Sequence, residues 1–96
     1  MEIRAGMRVW IPCEVKPGPF SNERMVRVTG DGQEWLNFVQ VHLLREAIQE
    51  GATFVLAMVD SVRDDECVAL LPGENLGSRY FHGRLSQVTP VGSVEA

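Results

Sequence analysis

Cysteine is scarce in this 96-residue chain: two thiols, Cys13 and Cys67, stand in opposite halves. That excludes the disulfide framework of a small secreted scaffold, and it predicts two reduced, buried thiols. Histidine is equally sparse, with His42 and His82 isolated from each other and from both cysteines. Structural zinc sites draw their ligands in close sequence pairs, so no metal site is assigned. No apolar run approaches the roughly 20 residues of a membrane helix. The opening MEIRAGMRVW lacks a leader-like apolar stretch. The expectation is a cytoplasmic protein with no membrane contact. There is no G-x-S-x-G elbow, no phosphate loop and no dinucleotide fingerprint. No catalytic residue and no cofactor is therefore assigned.

Lysine is nearly absent too. Eight of the nine basic side chains are arginine, and the net charge is −4. Residues 1–48 are neutral, with six basic and six acidic groups, while residues 49–96 carry three basic and seven acidic ones. This balance disfavours nucleic acid, whose binders present a basic surface. Arg8, Arg24 and Arg27, in the neutral half beside Trp35 or Tyr80, are the residues that such a binder would use.

The stretch that organises the chain is TFVLAMVDSVRDDECVALLPG, residues 53–73. Two short apolar runs, 54–59 and 67–71, flank an acidic tip at 60–66 and read as a β-hairpin. Asp60, Asp64, Asp65 and Glu66 lack the alternate-ligand spacing of an EF-hand loop and read as a solvated turn. With no Asn-Gly or Asp-Gly at the tip, a longer loop around a type I turn is expected. The first run is apolar on both alternating faces. That predicts a strand covered on both sides, inside by a core and outside by a helix or a second subunit.

Residues 7–15 read as a first strand, with Pro12 calling for an edge or a bulge. KPGPFSNE, 16–23, is a loop. Phe20 at its tip is expected to fold back over the core, with a presented aromatic contact as the alternative. Residues 24–29 form a second strand and Gly30-Asp31-Gly32 a turn. Residues 34–42 read as a third strand, and LLREAIQE, 43–50, as a short helix with Gly51 as its stop. After the hairpin come a loop at 74–78, a short strand or 3₁₀ piece at 79–83 and a last strand at 85–91. The tail, 92–96, is expected to fray.

The sum predicts one domain, with an ordered barrel over about residues 7–91. It is mainly β: a small, partly closed barrel of about five to seven antiparallel strands with one short helix, SH3-like first and OB-like second. Such barrels bind through aromatic grooves, which makes Trp35, Phe38, Tyr80, Phe81 and Phe20 the candidate binding residues. Each ring alone is more often core than site. The favoured function is a non-catalytic protein-interaction module, binding another protein or itself as a homodimer. The alternatives are a nucleic-acid-binding barrel and an enzyme with His42 or His82 at a site between subunits.

Overall fold

A computed structural model describes residues 2–72 and 79–92. Seven antiparallel strands form one sheet: β1 Arg8–Pro17, β2 Glu23–Gly30, β3 Gln33–Gln40, β4 Gly51–Arg63, β5 Glu66–Leu70, β6 Tyr80–Arg84 and β7 Thr89–Pro90. Their order is β3-β2-β1-β4-β5-β6, with β7 against β1. The sheet curls into a nearly closed barrel. Alternate residues point inward, so Val9, Ile11, Val15, Val26, Val28, Val55, Val59, Ala69 and Leu71 fill the interior. Cys13 and Cys67 are free and buried among them. The loop expected at 74–78 and the tail beyond Gly92 lie outside the described residues. Among the described residues, no helix is long and apolar enough to cross a membrane.

Pro12 sits where a missing donor costs least. The bond from the Val59 amide to the Met7 carbonyl puts odd residues of β1 in hydrogen-bonded pairs with β4. Pro12 therefore turns its nitrogen to the other side of β1. There, β7 pairs only with Val9 and Trp10, and β2 only from Glu14 onward.

Four expectations are corrected. Residues 43–50 form no α-helix: a 3₁₀ turn covers Val41–Leu43, and the chain then runs extended beside β4. Leu44 bridges Val55, the Arg45 amide bonds the Phe54 carbonyl, and Thr53 is hydrogen-bonded to Glu46. Barrel contacts outweigh the helical propensity of LLREAIQE. The hairpin tip is shorter than expected. Arg63 pairs with Glu66, leaving a two-residue Asp64-Asp65 turn in which Asp64 takes φ +57. Aspartate tolerates that left-handed conformation better than most residues, and a register shift between Val59 and Ser61 absorbs the mismatch. Phe20 is 66% exposed and does not cap the core. Finally, among the described residues no helix covers the outer face of β4, which leaves a second subunit as the other expected cover: Val55, Ala57 and Val59 are buried, whereas Phe54 and Leu56 are half-buried and Met58 is exposed.

Candidate functional site

The sheet is not hydrogen-bonded around the whole circle. Its ends, β3 and β6, share no ladder. They meet where the Asp31 amide, in the β2–β3 turn, bonds the His82 carbonyl at 2.8 Å. Gly30 allows this approach, because a Cβ there would stand 2.5 Å from that same oxygen. From this latch the two edges diverge into a cleft of about 390 Å³ whose lining includes Trp35, Leu36, Tyr80, Phe81 and His82.

The free edge of β3 has a defined phase. The Val41 amide bonds the Asn22 carbonyl, which continues the β2–β3 ladder and places odd residues of β3 in hydrogen-bonded pairs with β2. Glu34, Leu36 and Phe38 therefore turn their backbone groups toward the open side. The Phe38 amide is taken by its neighbour's side chain, Asn37 Oδ1, at 2.9 Å. Glu34 and Leu36, which line the cleft, have no such side-chain cover among the described residues. On β6, the bonds from Leu71 to Arg79 and from Leu85 to Asp65 put odd residues in hydrogen-bonded pairs with β5, so the His82 carbonyl faces the seam.

Trp35 supplies the second component. Its ring is buried, yet its indole Nε1–H has no hydrogen-bond partner among the described residues. The same holds for Asn37 Nδ2, two residues along the same face of β3. A buried, unpaired donor costs about 1–3 kcal/mol. The seam thus holds an unsatisfied side-chain donor beside an unsatisfied strand edge.

The structure brings together Trp35, Tyr80 and Phe81 of the candidate aromatics. Trp35 and Phe81 are buried walls, and Tyr80 is 42% exposed. Phe38 lies on the outer face of β3, opposite Met25 of β2, and Phe20 lies in the β1–β2 loop. The three candidate arginines do not converge. Arg24 is buried and donates to the carbonyls of Ile48 at 2.7 Å, Ser21 at 2.9 Å and Glu23 at 2.8 Å. Arg27 is clamped between Glu14 and Glu34 on the outer face. Its guanidinium holds the Glu14 carboxyl below the ordinary carboxylate value, first by a hydrogen bond and then by charge. Arg8 is exposed on β1.

His42 and His82 are exposed at opposite ends of the β2–β3 hairpin, a strand length of roughly 25 Å apart. Burial pushes the Cys13 thiol up to about 12, against a smaller opposing effect of a backbone hydrogen bond with Thr53. Burial also raises Cys67. Neither thiol is poised as a nucleophile. Among the described residues, no group of three or more His, Cys, Asp or Glu is arranged to hold a metal ion.

Sequence reasoning missed the edge itself, because hydrogen-bond phase follows from strand pairing. The available signal was Asn37, a polar residue between Trp35 and Val39 on an otherwise apolar face. Comparison with protein-family models, with curated proteins and with solved structures finds no match to this chain.

Proposed function

We propose that this protein is a non-catalytic interaction module that binds an extended segment of a partner protein along the open edge of β3. The observation that carries the reading is the pairing of two unmet needs in one seam among the described residues: the backbone groups of Glu34 and Leu36, which face no paired strand, and the buried Nε1–H of Trp35, which has no hydrogen-bond partner. An added strand meets both. Its backbone continues the ladder, and one of its side chains, carrying an oxygen acceptor, enters the cleft between Trp35 and Tyr80. Asn37 caps the Phe38 amide and so limits the accessible edge to a few residues. That favours a short, specific segment over open-ended sheet growth.

The test uses a displayed library of random peptides. Enriched peptides are titrated against ¹⁵N-labelled protein. The expected result is a set of shifts centred on the amides of Glu34 and Leu36 and on the Trp35 indole N–H. Trp35→Phe keeps the packed ring and removes the donor, and it should weaken binding roughly tenfold. Failure to enrich any peptide, or shifts confined to another face, refutes the reading.

A further inference from the structure

A different face of the barrel carries an apolar surface with internal complementarity. On the outside of β1 and β4 the register sets four rows: Arg8 beside Met58, Trp10 beside Leu56, Pro12 beside Phe54, and Glu14 beside Ala52. Arg8, Pro12, Glu14, Ala52 and Met58 are exposed, and the other three are half-buried. Read from one end to the other, the rows run from a cation and a large side chain to an anion and a small one.

We propose that this face is a homodimer interface, in which a second copy stacks with a two-fold axis crossing the strands between the Trp10 and Pro12 rows. That operation lays each Arg8 over the partner copy's Glu14 end and each Met58 over its Ala52. Trp10 and Leu56 then meet Pro12 and Phe54. Opposite charges and unequal sizes are matched by one symmetry operation, which is what an isologous contact requires. The two central rows carry no charged side chain of their own, and the Arg45 guanidinium over the Phe54 ring, 5.4 Å from its centroid, brings a cation to the edge of this face of a chain whose net charge is −4.

Area sets the strength. Rows about 7 Å apart on strands about 4.8 Å apart, extended by Leu70 beside Met58, give an apolar centre of roughly 250 Å². A standard interface takes about 800 Å² from each partner, so the polar rim must supply the rest. The expected dimer is reversible, with a Kd of roughly 10–100 µM.

Sedimentation velocity from about 1 to about 500 µM tests this. The wild-type chain should shift from one mass to twice that mass across the range. Met58→Asp should stay monomeric throughout. Arg8→Glu alone and Glu14→Arg alone each place like charges together and should also stay monomeric, while an equimolar mixture of the two should form a dimer. All three sites are exposed, although Glu14→Arg also removes the ion pair with Arg27, so circular dichroism and thermal unfolding verify that each variant is folded. Should Met58→Asp not fold, the charge pair carries the test alone. A wild-type monomer at the highest concentration overturns the proposal. So does a dimer that Met58→Asp leaves intact, or a charge mixture that stays monomeric. Trp35→Phe should dimerise normally, which separates this face from the seam.

Discussion

Gly30 is the residue on which closure of the barrel turns. Its missing Cβ lets the His82 carbonyl reach the Asp31 amide. Gly30→Ala should cost about 1–3 kcal/mol in urea unfolding and speed hydrogen exchange at the Asp31 amide above that of core amides. Cys13 gives a second prediction. Its thiol, raised to about 12 by burial, should resist iodoacetamide in the native protein and react only as fast as the chain opens. Because the folded thiol holds its proton more tightly than the unfolded one, Cys13 favours folding below its ordinary value of 9.0. That contribution fades as pH rises toward 12, so Cys13→Ala should flatten the alkaline limb of a stability curve. At this scale the sequence was legible for inward-pointing aliphatic residues. It was not legible for rings, because the outward face of a strand bears apolar residues too. Phe38 and Phe81 have the same chemistry and opposite fates, decided by strand phase.

Among elements, the strands were readable because alternation and turn residues agreed. The expected segments 7–15, 24–29 and 34–42 fall within one or two residues of β1, β2 and β3. The segment 43–50 was not, since its pattern suits a helix and only its neighbours overrule it. Arg24 is the chief of these neighbours. Its guanidinium ties the carbonyl of Ile48 to those of Ser21 and Glu23, pinning the segment against β2 without a carboxylate. Arg24→Met leaves these carbonyls unpaired and should cost about 2–4 kcal/mol. Hydrogen exchange should quicken first at the Arg45 amide, which bonds Phe54 across the same segment. A loss shared evenly by all amides, with none at Arg45 ahead of the rest, would contradict this pinning role. The cleft at the seam was half legible: its rings were picked out by type, but the free edge needed the strand order.

For the whole molecule, the Glu14–Arg27–Glu34 triad links charge to stability. Glu14 titrates below its ordinary value of 4.5 in the folded chain, so its contribution is complete above that value. It is lost as pH falls through the depressed folded value. Glu14→Gln should therefore show a shallower acid decline in thermal midpoint as pH falls below 4.5. Both partners are largely exposed, and added salt should shrink the difference. Whole-molecule closure was the least legible property, since it depends on contacts between residues far apart in the chain. Arg8 pairs with Met58, and Asp31 reaches His82. This layout has a consequence for synthesis. At about 5–20 residues per second, the ribosome delivers β4 several seconds after β1. During that wait the meander of β1, β2 and β3 is the sheet available, and the strand with the largest pairing debt stands with one edge unpaired. Pro12 interrupts the donor row only on the β2 and β7 side of β1, so the edge that waits for β4 keeps its full row of donors until β4 arrives.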